Sequence, residues 1–347
     1  MPAGVFSGIK VADFSWVIVG PLTSRYLADH GATVVRVETT GHPDVLRTSP
    51  PFKDWTPGLD RSAYFTNYNA GKYSISLDLN KPKAREIARR LILWADIFLE
   101  SFGPGIVKRW GLDYESVSRL KPELIYASTT QLGQTGPYAQ FRGFGAQGAA
   151  VAGFASFTGW PDRPPGGPYG AYTDIASYQY LVIALLLALE YRRRTGKGQY
   201  IEQSQVESSL HLLAPAILDY ASNGRVATRQ GNRDHYAVPH EAFRCQGEDR
   251  WCVIAVFSEE EWQRLCQVVG HREWLEDPRF STFLSRKENE AELNRLLAEW
   301  TANHSPEEVF FKLQSAGVPA GMVERAEDLH QDAQLRHRRH FWKLDHP

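Results

Sequence analysis

Cysteine is scarce in this chain. The three present among 347 residues, Cys245, Cys252 and Cys266, form neither a disulfide framework nor the C-x-x-C spacing of a zinc site. A reducing, cytoplasmic setting is expected. Net charge is equally scant, since 39 basic residues against 40 acidic ones leave −1. No whole-molecule field therefore draws the protein to nucleic acid or to an anionic membrane. The one membrane-like stretch, Ile175 to Leu189, runs fifteen residues without a charge but contains Ser177, Tyr178 and Gln179. A bilayer span takes about 20 apolar residues, so this stretch predicts a buried helix. Met1 to Asp13 has no basic segment followed by an apolar one, and no secretory leader is expected.

Several familiar motifs are also missing. The turn after the first predicted strand reads Ser15-Trp16-Val17-Ile18-Val19-Gly20-Pro21, without the G-x-G-x-x-G that cradles a dinucleotide. Glu38, at the end of the second strand, would otherwise suit a ribose. Gly71-Lys72 and Gly196-Lys197 lack the remaining residues of a phosphate-binding loop and read as turns. There is no G-x-S-x-G elbow for a nucleophilic serine, and His240-Glu241 lacks the second histidine of a zinc hydrolase.

What is there is a well-cored globular chain, 43% apolar and 12% aromatic. Residues 9–14, 33–38, 97–100 and 124–128 read as strands, and helical patterns from Pro21 to His30 and from Lys83 to Ala95 lie between them. This alternation predicts a mostly parallel sheet covered by helices, a Rossmann-like α/β domain over residues 1–224. The segment from Gly159 to Gly170 holds four prolines and four glycines, which marks an ordered loop. A long apolar helix is expected to follow from about Asp174 to Arg194. Residues 225–305 differ in texture and predict a smaller α+β domain, and 306–347 are expected to return to the large one.

Three places carry candidate chemistry. Ser101-Phe102-Gly103-Pro104-Gly105 directly follows a strand, where a glycine-rich turn faces the carboxyl edge at which open α/β sheets bind ligands. Arg109 comes one helical turn later, within reach of a phosphate. Thr135-Gly136-Pro137-Tyr138 makes a second tight turn. Asp174 closes the proline-glycine loop and opens the apolar helix. Its plain role is an N-cap, and the helix dipole would hold such a carboxylate ionised, a useful property in a nucleophile.

Read together, these pieces resemble the class III CoA-transferases, the CaiB/BaiF family. The resemblance is carried along nearly the whole chain by Gly8 to Val11 with Asp13-Phe14, LADHGATVVRVE (27–38), NAGKYSISLDL (69–79), SFGPG (101–105), GQTGPYA (133–139), Thr173-Asp174, TGKGQYIEQSQVE (195–207) and AGVPAGM (316–322). It implies an interlocked dimer and an aspartate nucleophile at Asp174. This carboxylate would attack an acyl-CoA thioester to give an anhydride and then an aspartyl-CoA thioester. A carboxylate suits an acid–acid exchange, because its anhydride is as activated as the thioester it came from. No metal is required. CoA contacts carry over by position to Ile18, Val19, Thr39, Leu77, Asn80, Lys81, Ser101, Phe102, Gly103, Arg109, Thr130, Gln131 and Leu132. Arg36, Arg47 and Lys72 are further basic candidates for the phosphates, or equally members of surface ion pairs.

Departures from the family pattern shape the expected substrate. Formyl-CoA transferase has histidine and glutamine where this chain has Trp16 and Ile18, and arginine in place of Thr39, so a bulkier or more apolar acid is expected. Tyr178 stands where many relatives have glycine, which would reshape the site. The chain stops at Pro347, earlier than most relatives. Two alternatives stay open: an α-methylacyl-CoA racemase, and a non-catalytic subunit of a hetero-oligomer. Racemisation needs a second acid/base, and racemising relatives place a histidine at the position of Phe144.

Overall fold

Runs of apolar residues with no polar alternation need cover on both faces, and a parallel sheet between helices provides it. The computed structural model describes residues 4–343. Six parallel strands form the main sheet: β1 (Lys10–Phe14), β2 (Thr33–Glu38), β3 (Tyr73–Ser76), β4 (Ile97–Glu100), β5 (Ile125–Thr130) and β6 (Tyr200–Ser204). Their order is β3-β2-β1-β4-β5-β6, so the winding reverses between β1 and β4. That reversal opens a crevice above the carboxyl ends of these two strands.

Alternate side chains of each strand feed two cores. On one face Ala12, Phe14, Phe98 and Tyr126 pack with Ala88 and Ile92. These last two lie on a helix that begins with Pro82 at its first turn and ends at Trp94. On the other face Val11, Val34, Ile97, Leu99 and Ile125 meet Leu27 of α1 (Val19–Asp29) and Leu181 and Leu185 of a long helix, Tyr172–Thr195. Strand β3 is an expectation missed. It is an exposed edge strand, polar at every second position, and has no buried run to betray it.

The long helix also departs from the expected buried one. It is long and apolar enough to cross a membrane by length and composition, but only one face packs on the sheet. Ile183 is 52% exposed and Leu187 66% exposed on the other. Tyr178 packs against the sheet core and lines neither of the cavities described below.

The chain divides into two units, Met1–Gly159 with Arg163–Arg229, and Trp160–Asp162 with Gln230–Pro347. In the second, β7 (His240–Arg244), β8 (Trp251–Ala255) and β9 (Ala320–Met322) form an antiparallel sheet. The expected return of 306–347 to the large domain is corrected here. Val309 and Leu313 of helix Pro306–Ser315 enter the core around Trp262, Leu265 and Leu297, and β9 pairs with β8. A helix-then-strand pattern does not show which sheet the strand joins.

Candidate active site

Two turns frame the crevice. The turn after β1 is folded back by buried carboxylates. Asp13 Oδ1 accepts the Ser15 N–H at 2.9 Å, and Oδ2 accepts the Ser24 hydroxyl at 2.6 Å and Lys72 Nζ at 3.1 Å. Burial alone would raise the Asp13 carboxyl, but Lys72, Arg36 and the two serine hydroxyls hold it below the ordinary carboxylate range. Burial in turn brings the Lys72 ammonium down to about 8, against the pull of Asp13. Val17 adopts φ 66°, costly for a β-branched residue, and its N–H is tied to Asp44 Oδ2 at 3.1 Å. Asp44 is itself paired with the buried Arg36 at 2.5 Å. The Trp16 N–H donates to Ser101 Oγ at 2.9 Å, joining this turn to the one after β4.

These contacts correct one expectation. Arg36, Arg47 and Lys72 are not free for phosphates, because Arg36 holds Asp44, Arg47 holds Glu38 and Asp60, and Lys72 holds Asp13. Each partner is brought in by folding from another element, so the pairing has no local sequence signal. Glu38, the ribose candidate of the absent dinucleotide motif, is spent on Arg47 in the same way.

Two cavities open at the switch point. The first, about 590 Å³, is lined by Ile18, Val19, Ser101, Gly103, Arg109, Thr130, Gln131, Leu132 and Asp174 among others. The second, about 490 Å³, is lined by Thr39, Leu77, Asn80, Ser101, Phe102, Gly103 and Arg109, with apolar walls from Phe14, Val37 and Trp110. Trp16, Ser101, Gly103, Ile106 and Arg109 border both. All but one of the candidate contacts thus meet around one crevice. Lys81 lines neither cavity and faces Asp78 at 3.8 Å. Arg109 makes no ion pair among the described residues.

Asp174 lies at the wall of the first cavity. It is the third residue of the long helix, whose N-cap is Ala171, so the expected N-cap role is corrected. Its Oδ2 is buried with no hydrogen-bond partner among the described residues. Burial raises this carboxyl to about 6, against a lowering contact with its own backbone N–H. The expectation of a dipole-held, readily ionised group is therefore reversed in direction, because desolvation outweighs the helix end.

A second helix, Gly145–Val151, presses on this carboxyl. A Cβ at Gly145 would stand 2.0 Å from Asp174 Oδ2, so only glycine fits. Thr173 Oγ1 donates to the Gly145 carbonyl at 3.2 Å, and Gln131 Nε2 to the Phe144 carbonyl at 2.6 Å. Sequence reasoning missed Gly145 and His42, whose ring lies 5.1 Å from that of Trp16 in the second cavity. The G-x-x-G spacing of Gly145 and Gly148 was the available signal for the first. For His42 there was none.

A doubly wound domain with a buried carboxyl beside a ligand-sized crevice at its switch point has the form of a small-molecule site. The chain belongs to CoA-transferase family III, which it matches over residues 6–347, and its activity class is CoA transfer. It is 34% identical to the succinate–glutarate CoA-transferase of Agrobacterium fabrum, over 96% of this chain and 83% of that one. Identity to the acetyl-CoA:oxalate CoA-transferase of Acetobacter aceti is also 34%, over 92% of this chain and 81% of the other. A solved CaiB/BaiF family protein from Brucella suis superposes with a TM-score of 0.90 at 34% identity, over 97% of this chain and 88% of that one.

Proposed function

We propose that this protein transfers CoA between carboxylic acids with Asp174 as covalent nucleophile. The carboxylate oxygen attacks the thioester carbon, the C–S bond breaks, and CoA thiolate leaves a mixed anhydride. The thiolate attacks the aspartyl carbonyl and expels the first acid, giving an aspartyl-CoA thioester. The acceptor carboxylate then attacks that carbonyl and the thiolate takes the new acyl group, which restores Asp174. A carboxylate whose proton affinity is raised by burial is a stronger nucleophile than an ordinary one and is still mostly ionised at neutral pH.

One observation carries this reading over its racemase alternative. The first cavity is lined by one carboxyl and by Arg109 and Arg142, with no histidine, lysine, cysteine or tyrosine among its described residues. Proton abstraction and return on opposite faces of an α-carbon needs two acid/base groups, and a nucleophile needs one. The free Asp174 Oδ2 likewise speaks against a non-catalytic subunit.

Trp16, Ile18, Leu132, Phe141 and Phe144 in the same cavity support an acid with an apolar body. The CoA nucleotide is proposed for the second cavity and the pantetheine arm for the border of Trp16, Ser101 and Arg109. A homodimer is part of the proposal, supported by exposed Ile183, Leu187 and Leu218. A cytoplasmic setting, fitted by three unpaired buried cysteines, completes it.

The test is interception. With a competent acyl-CoA, hydroxylamine should convert Asp174 to its hydroxamate, read as a mass change on the tryptic peptide. A substrate that turns over with no adduct on that peptide defeats the mechanism. In a panel of acids, branched or longer ones should outperform oxalate, and oxalate as the best acceptor would overturn the apolar assignment.

A further inference from the structure

Glu100 is a buried carboxyl that the scheme above does not use. It ends β4 at the switch point, in register with Phe14 of β1 and Ser128 of β5, and is 1% exposed. Its Oε2 accepts the Phe102 N–H at 2.7 Å, and the Ser128 hydroxyl is its other partner. Gln134 Nε2 donates both to Ser128 Oγ at 2.8 Å and to the Phe102 carbonyl at 2.9 Å. Phe102 is thus held at its N–H by Glu100 and at its carbonyl by Gln134. Ser101 and Gly103, on either side, border both cavities.

Among the described residues, no cation acts on Glu100. Strand β1 presents Phe14, and the titratable neighbours are the Tyr126 phenol of β5 and the Tyr200 phenol of β6, with Asp113 and Glu115 acting on Tyr126 from beyond. Burial raises both phenols, that of Tyr200 to about 12, so neither supplies a counter-charge. Burial likewise raises Glu100 to about 7, against the lowering contacts of Ser128 and the Phe102 N–H. A neutral carboxyl keeps the turn in place, because its carbonyl oxygen still accepts the Phe102 N–H.

We propose that Glu100 is a positioning residue for the CoA site: its neutral form fixes the 101–103 turn, and an anionic ligand laid on that turn draws a proton onto it. The proposal rests on the reading of these cavities as the CoA site. Coulomb repulsion from the phosphates and further loss of water both disfavour the ionised carboxyl, so binding raises its proton affinity. By linkage, CoA affinity falls as pH rises through neutrality.

The test is CoA binding by titration calorimetry on the full chain, wild type against Glu100→Gln, between about pH 6 and about pH 8.5. Glutamine is a permanently neutral copy whose amide oxygen still accepts the Phe102 N–H. Wild-type affinity should weaken relative to the variant by about tenfold across the range for each unit by which binding shifts the carboxyl. The phosphate of CoA titrates in both proteins, so the difference between them isolates Glu100. Equal slopes in the two proteins would overturn the proposal alone. Failure of CoA to bind the wild type at any pH would overturn the CoA-site reading and this proposal with it. Should Glu100→Gln not fold, Ser128→Ala serves. It removes a contact that favours ionisation and should move the wild-type step to higher pH, and an unmoved step is contrary.

Discussion

Asp13 and Asp174 are both buried in the large unit, yet they are built for opposite ends. Asp13 is surrounded by Ser15, Ser24 and Lys72, and its carboxyl is held below the ordinary range. Asp174 Oδ2 has no partner among the described residues, and burial lifts the carboxyl to about 6. Burial of a charge is tolerated when partners satisfy it and costly when they do not. The first carboxylate is part of the frame. The second lines a cavity with one oxygen unsatisfied, as the proposed nucleophilic role requires. Glu100 lies between the two, satisfied by hydrogen bonds but facing no cation among the described residues.

The sharpest way to break this comparison is to make the same substitution at both sites. Asp174→Asn should lower turnover by about 10³-fold or more, since it removes the attacking anion and keeps the shape. Near-normal turnover would place Asp174 with the frame residues. Asp13→Asn should act on stability instead, costing about 3–5 kcal/mol in denaturant unfolding because Lys72 is left buried without its counter-charge. An unfolding curve like that of the wild type would show that the pairing contributes little.

The pH dependence separates the two carboxyls by sign. Asp174 has a folded value of about 6 against an ordinary 3.8, so its stabilising contribution is present below the ordinary value and lost as pH rises through about 6. Above that, the ionised group weakens the fold, and Asp174→Asn should gain about 1–3 kcal/mol at pH near 7.5. Asp13 behaves the other way, adding stability above its ordinary value that is lost as pH falls through its lowered one. The rate should follow Asp174, with kcat/KM falling about tenfold per pH unit below about 6. A less stable Asp174→Asn protein would mean that the free oxygen has an unseen partner.

The frame was easier to read in the sequence than the satisfaction of its charges. Strands β1, β2, β4 and β5 were legible because burial on both faces leaves unbroken apolar runs. Strand β3 was not, because an exposed edge strand such as YSIS carries no such run. Asp174 was found through a collinear set of motifs, but its environment was misjudged. Position beside a loop and a helix suggests an N-cap, and only the packing of Gly145 shows how dry the carboxyl is. Arg36, Arg47 and Lys72 stood as candidates for phosphate because the position of a basic residue in the sequence does not reveal its partner. Lys72 lies 59 residues from Asp13.

The arginines therefore give the smallest but cleanest test. Arg36 is buried against Asp44, whereas Arg109 borders both cavities, exposed and without an ion pair among the described residues. An unpaired guanidinium at a cavity mouth keeps its donors for a ligand anion. Arg109→Ala should weaken CoA binding by about tenfold, through one lost charge-assisted contact, and leave thermal unfolding within about 0.5 kcal/mol of wild type. Arg36→Ala should do the reverse in kind. It strands the buried Asp44, loosens the Val17 turn that Asp44 holds, and shows first as a lower unfolding midpoint. If Arg109→Ala binds CoA as wild type does, the phosphates lie elsewhere, and Arg142 of the first cavity becomes the cation to remove next.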